Sequence, residues 1–341
     1  MSNERAILFG CAGERLTAEE RALFAETEPL GLILFQRNCR DPDQVRALIA
    51  EFRECVGRDD APVAIDQEGG RVARLKPPRW RSYPAAARLA ALPEAEEAVR
   101  LGARLIADDL AALGVTVDAL PVLDLPMPGA DNVIGDRAYG ADPARTARLG
   151  GAAAEGLLAG GVLPIIKHIP GHGRARVDSH KALPVVDADR ELLEATDFAP
   201  FRALAGLPLG NAIWAMTAHI VFPAIDAARP ATLSPAVIGE VIRGAIGFDG
   251  FLVSDDIEMG ALDGTLGARV AGALAAGCDA VLHCSGNLAA MCEAAAATPP
   301  LTPAAKARLA RGEALRRRSR EDFDRRAAEA RFDAMIAGVA A

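Results

Sequence analysis

Aromatic side chains are scarce in this chain. Two Trp, two Tyr and 11 Phe amount to 4 % of 341 residues. The core must therefore be aliphatic and helix-rich, which argues against a sandwich packed on Tyr and Trp. Basic charge is also in deficit, with 38 Lys and Arg against 46 Asp and Glu and a net charge of −8. That balance disfavours non-specific binding to nucleic acid or to an anionic membrane, both of which need basic surfaces. The run Arg316-Arg317-Arg318 is followed by Glu321, Asp322 and Asp324, so it reads as a solvated helix face. Six cysteines are present, but none forms a CxxC pair, and a chain this long needs no disulfide staples. No apolar run approaches the roughly 18 residues of a membrane span. The stretch Ala6–Gly13 is too short for a secretory core with its cleavage site. These absences lead to the expectation of a soluble, cytoplasmic protein with reduced thiols. Linkers rich in Gly, Ser or Pro are missing as well, so residues 1–341 are expected to form one domain.

Hydrophobic residues make up 51 % of the chain, enough for a large core. They recur in eight short aliphatic runs: Ala6–Phe9, Gly31–Phe35, Val63–Asp66, Val115–Val117, Leu163–Ile166, Ala212–Met216, Phe251–Val253 and Ala280–Leu282. Continuous apolar runs without alternation suggest strands buried on both faces, as in parallel sheets. The intervening segments have helical spacing. Asp41–Glu54 opens with Asp and Pro and carries Val45, Leu48, Ile49 and Phe52 on one face. Pro93–Leu113 and Pro143–Leu158 behave likewise, and Pro303–Ala341 reads as one or two terminal helices. Eight βα units over this length predict an α/β fold, a single (β/α)8 TIM-type barrel with extra C-terminal helices. A dinucleotide-binding sheet would want GxGxxG after its first strand, and Gly10–Glu14 does not supply it.

Active sites in such barrels lie where strands end and βα loops begin. Reactive side chains gather at those points. Run three ends at Asp66-Gln67-Glu68-Gly69-Gly70-Arg71, run five at Lys167-His168-Ile169-Pro170-Gly171-His172-Gly173, run six at Thr217-Ala218-His219 and run seven at Ser254-Asp255-Asp256. Four of the five histidines lie at or just beyond runs five and six. Asp255 should project into the barrel mouth, where a carboxylate could attack an electron-poor carbon such as an anomeric centre; the alternative is a structural aspartate starting the next helix. Alternation along a strand would turn Asp256 away, leaving it a structural role. In the loop 171–184, Gly171 and Gly173 imply unusual backbone angles. Asp178 stands two residues before His180, close enough to fix the tautomer of a general acid/base, unless both are simply solvated. His168, His172 and His180 could alternatively ligate a metal, although Pro170 and Gly171 break the helix that a four-residue histidine spacing normally rides on. Phosphate binding lacks its GxxxxGK[ST] signature. Asp66, with Arg74, Arg137 and Lys167 as cations near strand ends, suits a polyhydroxylated ligand, because each sugar hydroxyl needs both donor and acceptor. His283 and Cys284 end run eight without evident partners and are expected to pack structurally.

In order along the chain, these segments resemble the β-N-acetylglucosaminidases of glycoside hydrolase family 3, of the bacterial cytoplasmic type that recycles cell-wall muropeptides. The resemblance runs from Gly31 to Cys284. It rests on Gly31–Phe35 with Arg37-Asn38, on Ile65–Val72, on Ile134-Gly135-Asp136-Arg137, on Lys167–Gly173 with Asp178-Ser179-His180, and on Ser254-Asp255-Asp256. It implies that Asp255 is the nucleophile and that His180 is the acid/base, assisted by Asp178. It further implies that Asp66, Arg74, Arg137, Lys167 and His168 hold a terminal, non-reducing N-acetylglucosamine. The implied reaction is removal of that sugar from GlcNAc-anhydro-muropeptides with retention of configuration. The implied partner is this small carbohydrate alone, with no cofactor, metal, nucleic acid or membrane. Ile169 stands where an aromatic is common, Glu258 where a small polar residue is often seen, and Arg174 and Arg176 add charge to the loop. The other readings are a related β-glycosidase or glycoside phosphorylase, a metal-dependent hydrolase built on the three histidines, and a non-catalytic sugar-binding barrel.

Overall fold

In the computed structural model, which describes residues 4–179 and 181–337, all eight aliphatic runs become strands of one closed parallel barrel. In chain order the strands are β1 (Arg5–Phe9), β2 (Pro29–Leu34), β3 (Val63–Ile65), β4 (Val117–Asp118), β5 (Leu163–Ile169), β6 (Trp214–Thr217), β7 (Val221–Phe222), β8 (Asp226–Pro230), β9 (Phe251–Asp256) and β10 (Ala280–His283). The barrel order is β1-β10-β9-β6-β5-β4-β3-β2, closed by Ile7 beside Val281; β7 and β8 form a separate antiparallel hairpin. Strand residues such as Ile7, Leu32, Ile65 and Phe251 are inaccessible to solvent, as expected for strands covered on both faces. The composition told correctly: Phe9, Phe24, Phe52 and Trp214 are among the few large rings inside an otherwise aliphatic core.

The helices form where their caps stand. Asp41 accepts the Gln44 amide at 2.9 Å and starts Pro42–Val56, which Gly57 ends in the left-handed conformation. The expected Pro93–Leu113 and Pro143–Leu158 are observed as Ala95–Ala111 and Pro143–Ala159. Of the two terminal helices, Pro303–Arg318 lies against strands β5 and β9, and Arg325–Ala337 packs on the helix Ala95–Ala111. The second is fixed by buried Phe332, whose ring centre is 6.4 Å from that of Tyr83, and by Arg325, which bridges Asp108 and Asp109 at 2.7 Å each. Arg316 and Arg317 both pair with Glu313 one turn back on their own helix, in keeping with a solvated face.

Two departures matter for the site. β5 runs three residues past the expected Ile166, because pairing with β6 continues through Lys167 beside Met216 and Ile169 beside Thr217. Lys167 and His168 therefore sit on the strand, not in the following loop. The hairpin β7–β8 was not foreseen, because its segments are too short to show a period. Among the described residues, no helix is long and apolar enough to cross a membrane. The six cysteines are all free thiols.

Candidate active site

A cavity of about 360 Å³ opens at the C-terminal mouth of the barrel. Asp66, Arg74, Arg137, Lys167, His168, Asp178 and Asp255 all line it. Seven of the eight residues expected from the sequence thus meet there; His180 lies outside the described residues.

Its floor is a chain of buried charges. Asp66 follows β3. Its Oδ1 accepts from Lys167 Nζ at 2.7 Å, and its Oδ2 from Arg74 Nη2 at 2.9 Å. Arg74 reaches that point because Gln67 staples the loop. The Gln67 side-chain oxygen accepts the amides of Arg74 and Leu75 at 2.9 and 3.0 Å, and its NH2 donates to the Leu75 carbonyl at 3.1 Å. Lys167 Nζ also lies 2.7 Å from Glu68 Oε1, and Glu68 in turn holds Arg137. Burial by itself would raise the carboxyls of Asp66 and Glu68. Lys167, with Arg74 on one side and Arg137 on the other, outweighs it and holds both below the usual carboxylate range. The result is an ionised, pre-ordered array of acceptors and donors, as a polyhydroxylated ligand requires.

One wall is set by Asp124. Residues 121–123 run beside β5, with the Leu123 amide donating to the Lys167 carbonyl at 2.8 Å. This brings the buried Asp124 level with His168. Its Oδ2 is 2.7 Å from His168 Nδ1, and its Oδ1 accepts the His172 amide at 2.7 Å. His172 is buried, and its Nε2 is 3.0 Å from Ser179 Oγ. Burial, reinforced by nearby His168, pushes His172 down to about 4, so its ring is neutral near pH 7. The two glycines of the loop differ. Gly171 has φ +144°, but Gly173 is required by space, since a Cβ there would overlap the Leu125 carbonyl. Arg174 is tied to buried Asp197 at 2.6 Å.

The opposite wall comes from β9. Alternation predicted that Asp256 would face away from Asp255. Both line the cavity, because β9 carries an irregularity against β10: Val253 pairs with Ala280 but Asp256 with Leu282, so three steps on one strand match two on the other. Such a bulge cancels the alternation. Asp256 is also a backbone staple, accepting the amides of Glu258 and Cys284 at 3.2 and 3.3 Å. Burial, with the Asp255 and Glu258 carboxylates adding to it, pushes Asp256 up to about 6. His219 is buried behind this wall, with Nδ1 2.7 Å from Thr232 Oγ1 and Nε2 2.9 Å from the Asp256 carbonyl.

For the metal reading, the His168 and His172 rings are 5.6 Å apart, each with one ring nitrogen engaged by a partner inside the protein. Among the described residues, no three His, Cys, Asp or Glu side chains are grouped to hold a metal ion. His283 packs against Phe9, as expected, but Cys284 lines the cavity. Sequence reasoning missed that residue, along with Glu68 and Asp124. An acid inside the apolar stretch Pro121–Leu125 was the signal for Asp124. Glu68 sat within the quoted Asp66–Arg71 motif.

Comparison with known proteins agrees with this geometry. Residues 6–309 match the glycosyl hydrolase family 3 N-terminal domain. The chain is 39 % identical over 302 residues to a β-hexosaminidase of Pseudomonas aeruginosa, covering 86 % of this chain and 88 % of that one. It superposes on NagZ from Neisseria gonorrhoeae, solved in complex with N-trifluoroacetyl-D-glucosamine, with a TM-score of 0.84, 32 % identity and 99 % of each chain covered. A family 3 β-N-acetylglucosaminidase from a Paenibacillus strain gives a TM-score of 0.79 at 33 % identity over 98 % of this chain, which spans only 62 % of that larger one. With its parallel barrel and its charged cavity at the C-terminal mouth, the chain belongs to glycosyl hydrolase family 3 and is a glycoside hydrolase.

Proposed function

We propose that the protein is a retaining exo-β-N-acetylglucosaminidase that releases terminal, non-reducing N-acetylglucosamine from muropeptides in the cytoplasm, and that this barrel performs the reaction by itself without a cofactor. The observation that carries the reading is the convergence of Asp255 and Asp178 on one cavity whose floor is the Asp66–Lys167–Glu68–Arg137 array. Names of relatives support the sugar class: β-hexosaminidase in Pseudomonas, and an N-acylated glucosamine bound to the Neisseria protein.

In this mechanism Asp66, Arg74, Lys167, His168 and Arg137 hold the sugar hydroxyls. The Asp255 carboxylate attacks the anomeric carbon as His180, assisted by Asp178, protonates the leaving oxygen. A covalent glycosyl-enzyme forms through an oxocarbenium-like transition state. Water, deprotonated by His180, then releases the sugar with retained configuration. Proton transfer of this kind contributes about 10²- to 10⁴-fold.

The test is hydrolysis of an aryl β-N-acetylglucosaminide beside the matching β-glucoside, followed by NMR of the first-formed anomer. Cleavage of the acetamido sugar, β product first, and loss of turnover in Asp255→Ala are the expected results. Preference for the glucoside, an α product, or full activity in Asp255→Ala would overturn the proposal.

A further inference from the structure

His172 and Asp124 do not line the cavity themselves, yet they join its two halves. Asp124 sits at the junction. One carboxylate oxygen accepts the His172 amide at 2.7 Å, the other lies 2.7 Å from His168 Nδ1, and the His168 amide is 3.2 Å from Oδ1. A fully buried acid that gathers three N–H groups stays ionised and fixes the peptide from 168 to 172 as one unit. Its hydrogen bond also settles the His168 ring: Nδ1 carries the proton turned to Asp124, and Nε2 is the other ring nitrogen. From the far end of that unit the His172 side chain crosses to the next turn, where Nε2 is 3.0 Å from Ser179 Oγ. Ser179 is buried and directly follows Asp178, which lines the cavity.

We propose that Asp124 and His172 are positioning residues: Asp124 anchors the 168–172 segment, and His172 carries that anchorage through Ser179 to set where Asp178 stands. This rests on the glycosidase reading, in which Asp178 assists protonation of the leaving group. The ring of His172 suits the task. Being neutral, it makes a hydrogen bond to a hydroxyl without adding a charge beside the His168 ring. The placement matters because proton transfer falls off steeply once its partners leave hydrogen-bond reach.

The experiment compares wild type, Ser179→Ala, His172→Gln, the double variant and Asp178→Asn on two aryl β-N-acetylglucosaminides. One carries a dinitrophenyl leaving group that needs no proton, the other a poor phenyl leaving group. Ser179→Ala removes one oxygen from a tight turn and tests the contact with the least risk to folding. It should lower kcat and kcat/KM on the phenyl substrate about fivefold, the worth of one net hydrogen bond, with kcat/KM on the dinitrophenyl substrate, which reports the step that needs no acid, little changed. The double variant should lose no more than the more damaging single one, since both remove the same contact. Equal losses of kcat/KM on both substrates, a change confined to KM, or additive losses would overturn the positioning role. The glycosidase reading fails separately: Asp178→Asn would then show no dependence on the leaving group, whatever Ser179→Ala does.

Discussion

Arg137 grips Glu68 through two parallel hydrogen bonds, Nε to Oε2 at 2.9 Å and Nη2 to Oε1 at 2.8 Å, between residues 69 positions apart in the chain. Glu68 is buried, Arg137 is partly so, and Lys167 presses on the same carboxylate. Arg137 is therefore presented to the cavity by Glu68, whose charge also faces Lys167, a cation it shares with Asp66.

Neutralising that carboxylate should be costly. Breaking one partner of a buried pair typically costs about 3–5 kcal/mol, and Glu68→Gln keeps the shape but not the charge. We expect a clear fall in Tm and a KM for the aryl N-acetylglucosaminide raised about tenfold, with a smaller effect on kcat. Calorimetry and steady-state kinetics check both, and an unchanged KM would remove Glu68 from the sugar-binding array.

Asp256 gives a stability signature with a definite sign. Its pKa in the fold, about 6, stands above the ordinary value of 3.8. The fold thus prefers the protonated form. The associated stability is complete below about pH 4 and is lost as the pH rises through about 6. Asp256→Asn keeps an oxygen for the Glu258 and Cys284 amides but carries no charge. It should be more stable than wild type by about 3 kcal/mol near pH 8, with the difference closing below about pH 4. Unfolding by urea at several pH values measures this, and a difference that does not vary with pH would refute it.

Gly173 marks where the loop touches the barrel. An alanine Cβ would overlap the Leu125 carbonyl, which is backbone and cannot swing aside. Gly173→Ala should leave the barrel folded by circular dichroism but displace the segment leading to Asp178. A misplacement of about 1 Å can cost on the order of 100-fold in rate, and a loss of that order in kcat is expected. A variant with normal kcat would show that the loop tolerates the shift.

Much of this was legible from local sequence. The eight aliphatic runs declared the barrel because a strand covered on both faces has to be apolar throughout, and Asp41 announced its helix by capping chemistry. Asp66, Lys167, His168 and Asp255 could be picked out because a polar residue at the end of a buried strand in such a barrel points into its mouth. Pairing was not legible. Glu68 with Arg137, and Asp124 with His168 and His172, are contacts across 69, 44 and 48 residues, and no local pattern encodes which buried cation a given carboxylate will meet.

The sequence by itself determined the architecture and the place of the chemistry, because periodicity and strand ends are local properties. Tertiary structure decided the rest: that Asp256 joins Asp255 on the wall, through a register break between β9 and β10; that Cys284 faces the cavity; and that Asp124 fixes the peptide behind Asp178. Those features depend on how neighbouring strands align and on which charges burial forces together, and both are settled only when the barrel closes.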